Sequence, residues 1–168
     1  MKSFAEYIQQ LAEEHKKIKH SDKECHFSDL NDDAQNGYAH MRMHFPCVVL
    51  EESETTFSDT GELFLKRTSN IILVLNHVRD AGDAEEVRKV FKDTEEIAID
   101  FVKRMHREKK TVARMTRFDI NSVEMVRVYL QDAGLYGYAV TLVDNMSISD
   151  IDCYDAFVKN EPETVTAG

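Results

Sequence analysis

A strand, a long amphipathic helix and a β-hairpin follow one another in the second half of this chain. Asn70–Val78 has the composition of a buried strand, and its centre, Ile71–Leu75, is apolar on both faces. A strand that is apolar on both faces is typical of the middle of a covered sheet. After the helix, Val123–Leu130 and Tyr136–Val143 are predicted to be two further strands. This order predicts a sheet with one face covered by the helix.

The helix between these strands is the clearest periodic segment of the chain. Asp83 can act as its N-cap, and Glu85 and Glu86 complement the positive end of the helix dipole. Apolar or small residues then recur every three or four positions: Val87, Val90, Phe91, Thr94, Ile97, Ala98, Phe101, Val102 and Met105. A stripe of more than five turns predicts a helix that packs along its whole length on a sheet.

The first half of the chain gives weaker signals. Ser3 and Glu6 form a capping-box pattern that predicts a first helix to about Lys17. The remaining expectations are a polar loop over Lys19–Phe27, a short helix from Asp29 to about His40 capped by Ser28, a strand at Cys47–Glu51, and a long antiparallel strand at Leu63–Val78.

These elements together predict an α+β fold in the order α-α-β-β-α-β-β. One long helix is expected to pack on an antiparallel or mixed four-stranded sheet. The length of 168 residues favours a single domain over residues 1–168, with residues 161–168 as a flexible tail.

Charge and composition exclude several classes of function. The net charge is −10 and the isoelectric point is near 5.1, whereas a free-standing nucleic-acid binder needs a basic surface. The most basic stretch, Lys103–Lys110, is interpreted as the C-terminal end of the helix, where cations complement the dipole. Three cysteines without a CxxC pair and the absence of a long apolar segment predict a soluble, intracellular protein that does not enter a membrane.

Two histidine-containing segments are candidate metal sites. His40 and His44 are spaced four residues apart, which places both on one helix face if the segment is helical. Cys25–His26 is the second candidate, with His15 and His20 nearby. Neither segment has a complete ligand set, so a solvated turn is the preferred interpretation of both. Whether either binds a metal stays open, and no metal or cofactor is expected.

Motifs for catalysis are not evident in the sequence. There is no GxGxxG, GxxxxGK[ST] or GxSxG pattern, and the paired carboxylates fall in turns or on polar helix faces. Gly137, between Tyr136 and Tyr138, is interpreted as a bulge or a close backbone contact. The sequence therefore predicts a protein that is not an enzyme, with no catalytic residue to assign; a hydrolase or metal enzyme using His40 and His44 is the least favoured class.

Several segments resemble small uncharacterised proteins of Bacteroidetes phages and prophages. The resemblance is carried by Phe45–Glu51, by Asn70–Val78, by the helix from Asp83 and by Tyr136–Leu142. These proteins have a YPC-like strand, a helix and a closing GWxVxF-like strand, and this chain has Tyr138 at the tryptophan position. Over roughly residues 4–145 the element order is similar to that of tail-terminator, or tail-completion, proteins of long-tailed phages.

The resemblance implies a structural role in the virion, assembled in the bacterial host. Tail-terminator proteins form rings, usually of six subunits, and contact other neck or tail-tube proteins while DNA passes through without specific binding. The expected surface for self-association combines exposed strand edges with a polar arm from Thr55 to Lys66, and includes Thr55, Phe57, Leu63, Phe64, Tyr136 and Tyr138. The alternative is a small, non-catalytic, cytosolic protein of a bacterium that binds a ligand or regulates a partner.

Overall fold

The described part of the chain combines two α-helices and a short 3-10 helix at Gln131–Ala133 with a mixed sheet. The computed structural model describes residues 4–18, 25–29, 43–59, 64–109 and 118–147. The elements in chain order are α1 (Phe4–Glu14), β1 (Cys25–Asp29), β2 (Met43–Asp59), β3 (Phe64–His77), α2 (Ala84–Glu108), β4 (Phe118–Leu130) and β5 (Leu135–Ser147). The α+β class is as predicted. Ser3 and the expected tail at 161–168 lie outside the described residues.

The sheet has five strands in the described part of the chain, where the sequence predicted four. Their spatial order is β1-β2-β3-β5-β4, with β1 parallel to β2 and every other neighbouring pair antiparallel. The extra strand is β1, which the sequence analysis assigned partly to a loop and partly to a helix start. Ser28 lies inside this strand and is not a helix cap. The rest of the predicted second helix, to His40, lies outside the described residues.

Both helices pack on the same face of the sheet. The α2 helix lies across β3, β4 and β5, while α1 contacts β1 and β2. Asp83 caps α2 as predicted, because its carboxylate accepts hydrogen bonds from the Glu85 and Glu86 backbone N–H groups. The buried residues of α2 are Val90, Phe91, Thr94, Ile97, Ala98, Phe101 and Met105, so the predicted stripe is confirmed.

The β3 strand is buried on both of its faces, as its composition predicted. Ile72 and Val74 belong to the core beneath the helices, whereas Leu73 and Leu75 belong to a smaller cluster on the opposite face with Val49. The strand register explains why the two clusters lie on opposite faces of the sheet. Val49 pairs with Leu73 on one face, and Val48 pairs with Val74 on the other, because successive residues of a strand point to opposite faces. This strand is therefore the centre of the sheet.

Gly137 marks a point where two backbones approach closely. A Cβ atom at this position would lie 1.9 Å from the Val74 carbonyl oxygen of the neighbouring strand. The close backbone contact predicted for this glycine is confirmed, and the residue is required by space. Gly134 serves a different purpose, since its φ of 63° closes the turn between β4 and β5.

We expect Phe101→Ala to lower the free energy of unfolding by about 3–5 kcal/mol, because this α2 side chain is almost fully buried in the core between the helix and the sheet. Urea unfolding of both proteins measures the difference. Glu95→Ala, at an exposed position of the same helix, is the matched control and should change stability by under about 0.5 kcal/mol. A loss under about 1 kcal/mol for Phe101→Ala would contradict the packing described above.

We expect Gly137→Ala to destabilise the protein by about 3 kcal/mol or more, because the methyl group would overlap the Val74 carbonyl. Gly82→Ala is the control, since its new methyl group meets only the movable side chain of Asp80. Thermal unfolding compares the two variants. Equal melting temperatures for both would show that β5 can shift away from β3 without cost.

Candidate assembly surface

The sheet continues past the helices as a three-stranded extension. It consists of Glu54–Asp59 of β2, Phe64–Ser69 of β3 and Asp144–Ser147 of β5, which we call the distal extension. An irregularity in the register between Glu52 and Glu54 separates it from the rest of β2. Bulges of this kind bend a strand and increase its twist. The predicted polar arm from Thr55 to Lys66 is thus ordered strand wherever the structure describes it.

One edge of the distal extension belongs to β2. The β1 strand pairs with β2 only as far as Leu50, so among the described strands Glu51–Asp59 pairs on the β3 side alone. These nine residues contain four carboxylates, at Glu51, Glu52, Glu54 and Asp59, and no lysine or arginine. Charged residues on an edge strand oppose indiscriminate strand addition. The edge is therefore rich in acidic residues, which restrict the strands that can pair with it.

Among the side chains of the distal extension that the structure describes, Phe57 is the most exposed large apolar one. Its side chain is 61% exposed, although its neighbours on β2 are polar. Phe57 pairs across the strands with Lys66, which shares a face with Ile72 of the core because alternate residues point the same way. Its ring is therefore on the helix-bearing side of the sheet. Thr55 lies on the same side, with its hydroxyl 3.4 Å from that of Thr68.

A cleft between α1 and α2 forms the second notable surface. Its volume is about 380 Å³. Leu11 of α1 and Phe101 of α2 line it, although both side chains are almost fully buried. The remaining lining residues are Glu14, His15, Asp100, Lys103, Arg104 and Arg107, so three fixed cations face it in a chain of net charge −10.

Ion pairs within the chain occupy most of these cations. Arg104 is hydrogen-bonded to Glu108, which raises the pKa of the guanidinium, and it also lies 3.4 Å from the Glu14 carboxylate. The Lys103 ammonium is 3.7 Å from Asp100. Arg107, by contrast, is exposed and forms no ion pair with a described residue. Of the three cleft cations, Arg107 is therefore the one that could form an ion pair with a bound molecule.

Tyr7 ties α1 to the end of α2. Its hydroxyl donates a hydrogen bond of 2.7 Å to the Glu108 carboxylate. Burial of the ring, and then this hydrogen bond, raise the pKa of Tyr7 well above its ordinary value. Since Glu108 also binds Arg104, the three side chains fix the relative position of the two helices beside the cleft.

An aromatic cluster at the start of α2 holds two of the residues predicted for the assembly surface. Tyr136 and Tyr138 are only 8% and 6% exposed, with ring centres 5.9 and 6.0 Å from that of Phe91. Arg127 donates a hydrogen bond to the Tyr138 hydroxyl and lies over the Phe91 ring. Both tyrosines therefore contribute to the core, and we correct their assignment to a contact surface.

The other predicted surface residues divide between the described and undescribed parts of the chain. Thr55 and Phe57 lie together on the distal extension. Leu63 and the side chain of Phe64 lie outside what the structure describes. Sequence reasoning did not predict the cleft itself. The cationic end of α2 was visible in the sequence, but its pairing with α1 was not.

The fold brings one histidine of each candidate metal segment close together, which their spacing in the sequence did not predict. The His26 ring is 5.8 Å from the His44 ring, and His26 Nδ1 is 2.9 Å from the Pro46 carbonyl oxygen. His40, His20 and the Cys25 side chain lie outside the description. Among the residues with described side chains, no three histidine, cysteine, aspartate or glutamate residues are placed to hold a metal ion.

We expect the stability advantage of the wild type over Tyr7→Phe to fall above pH 10. The unfolded tyrosine ionises near pH 10, while the folded one keeps its proton because its pKa is raised. The unfolded state then binds fewer protons, so stability falls as pH rises, by up to about 1.4 kcal/mol per pH unit. Urea unfolding at pH 8, 10 and 11 tests this, and parallel profiles for the two proteins would contradict it.

This chain has no match in three comparisons with known proteins. No protein-family model matches the chain, and neither the curated proteins nor the solved structures include a match. Within the described residues, no helix has both the length and the apolar character needed to cross a membrane. Arguments about function therefore start from the surfaces described above.

Proposed function

We propose that this chain is a structural protein of a phage or prophage, acting as a tail terminator or as a ring component of the head–tail neck. The observation that carries the proposal is the acidic edge of β2 at Glu51–Asp59, which pairs on one side only among the described strands. The resemblance of Phe45–Glu51 and Tyr136–Leu142 to phage proteins supplies the biological setting.

An ordered strand edge of this length is suited to assembly. An open edge recruits other strands, and the carboxylates and the register irregularity of β2 restrict which strands can add to it. Here β2 and β3 remain paired to Asp59 and Phe64, and β5 accompanies β3 to Ser147. Contacts between different surfaces of identical subunits close into a ring when the rotation permits, and a closed ring uses every such edge.

The charge of the chain suits a ring around passing DNA. Lysine and arginine contacts to phosphates would retain the duplex, whereas a net charge of −10 disfavours this. In this proposal the chain contacts other neck or tail-tube proteins and copies of itself, resides in the virion, binds DNA only in passage and carries out no catalytic step. Six subunits is the ring order that the resemblance implies.

One feature favours the alternative of a small cytosolic ligand-binding or regulatory protein. The cleft between α1 and α2 is concave and is lined by convergent charged groups of both helices, as small-molecule sites often are. A ligand of this cleft would raise the melting temperature without changing the mass of the particle. The two functions are thus separated by one pair of measurements.

We expect the purified chain, or the chain within assembled particles, to form cyclic oligomers. Size exclusion with light scattering at low and moderate salt measures the mass. Assembly should hold or strengthen with salt, because screening relieves the repulsion between acidic copies. A strict monomer at high concentration in both salts, with no oligomer in particles either, would rule out the ring.

A matched pair of variants tests the edge itself. Thr56→Lys places a charge on the exposed β2 edge and should weaken assembly. Gln9→Lys makes the same change of charge at an exposed position of α1 and should assemble like the wild type. Equal assembly of both variants would remove the β2 edge from the interface.

A further inference from the structure

We propose that His26 of β1 and His44 of β2 together bind one divalent transition-metal ion, such as Zn²⁺, through their imidazole nitrogens. The two rings lie close together, with their centres 5.8 Å apart. This site goes beyond the proposed ring, since it joins two strands of one copy and needs no second copy. It is therefore tested on the purified chain, whether or not the chain assembles.

An irregularity in the pairing of β1 with β2 brings the two histidines together. The register shifts between Cys25 and Phe27, so that His26 alone lies opposite residues 44–47 of β2. His44 is the first residue of that stretch. Extra residues in one strand redirect its side chains, and irregularities of this kind are frequent beside functional sites. The shift thus places the side chains of two different strands around one point.

A hydrogen bond determines which nitrogen of His26 can bind a metal. The Nδ1 atom lies 2.9 Å from the Pro46 carbonyl oxygen. Because a carbonyl oxygen only accepts, Nδ1 carries the proton and donates it, and the lone pair of the neutral ring is on Nε2. Histidines that bind metals commonly donate their other ring N–H to a backbone carbonyl in this way. The His26 side chain is buried, so packing also holds the ring in this orientation.

The separation of the two rings suits a shared ion. Zinc lies about 2.0–2.1 Å from a coordinated imidazole nitrogen, and therefore about 3 Å from the centre of that ring. Two imidazoles on one tetrahedral ion consequently have their centres about 5–6 Å apart. The 5.8 Å between His26 and His44 falls in this range, and the ring planes are tilted by 45° and not stacked. Both rings can therefore reach one ion with little movement.

Water fills the remaining coordination positions of the proposed ion. Among the residues with described side chains, no group of three histidine, cysteine, aspartate or glutamate residues is placed to hold a metal, so the described site has two protein ligands. His44 is exposed, and water and ions reach the pair from its side. Neutral imidazoles suit zinc, copper and nickel, whereas calcium and magnesium prefer oxygen ligands. The site is thus open and exchangeable, unlike the closed four-ligand site of a structural zinc.

An ion at this position fastens β1 to the sheet. β1 has five residues, lies at an edge of the sheet and pairs with β2 alone among the described strands. The two histidines come from different strands, so they share an ion only when β1 is paired with β2. A ligand that binds only the folded state stabilises it. Zinc binding should therefore raise the melting temperature of the chain.

His44→Ala tests the site, and His106→Ala, at an exposed position of α2, is the matched control. Calorimetric titration with Zn²⁺ alone should show one ion per chain that His44→Ala binds at least about tenfold more weakly than the wild type and the control do. Zn²⁺ should raise the melting temperature of the wild type and of His106→Ala, but not that of His44→Ala. Circular dichroism without metal confirms that both variants are folded, as expected for exposed positions. Equal affinities of His44→Ala and the wild type, or no binding by the wild type, would overturn the site.

Imidazole ¹⁵N NMR of the wild type gives a second measurement that leaves the buried His26 unaltered. At pH 8 and without metal, the His26 ring should show a protonated Nδ1 and an unprotonated Nε2. Addition of Zn²⁺ should then shift the Nε2 signal of His26 together with one ring nitrogen of His44. A His26 ring that carries its proton on Nε2, or a titration in which only one of the two histidines responds, would overturn the shared site.

Discussion

The packing of α2 across β3, β4 and β5 is the contact on which the remaining architecture depends. Phe101, Ile97 and Ala98 fill the space above the central strands, and the same helix carries Arg104 and Glu108 to the side of α1. Because the stripe of α2 is fully used on the sheet, its polar faces remain available for α1 and for solvent. The cleft between the helices is a consequence of this arrangement.

The parts of the fold that were predictable are those in which one physical requirement dominates the local sequence. The α2 stripe repeats every three or four residues, and Ile71–Leu75 is apolar on both faces, so burial alone fixes both assignments. Asp83 was recognisable as a cap because its side chain acts on its own neighbours. In each case the evidence lies within a few consecutive residues.

The β1 strand was missed because its stabilising contacts are not local. Its sequence is Cys-His-Phe-Ser-Asp, and the residues it buries are His26 and Ser28, which in a sequence read as loop or cap. The Nδ1 atom of the buried His26 ring lies 2.9 Å from the Pro46 carbonyl oxygen of the neighbouring strand, a contact that the sequence of β1 alone does not reveal. Parallel pairing with a strand some twenty residues away leaves no signal in the short segment itself.

The assembly surface was only partly predictable for a related reason. The polar arm that contains Phe57 and the strand at Tyr136–Val143 were both predicted from the sequence. Alternation does not say which face the helix covers, so the burial of Tyr136 and Tyr138 required the structure. The cleft joins Leu11 to Phe101 across ninety positions, and only the packing of α1 on α2 creates it.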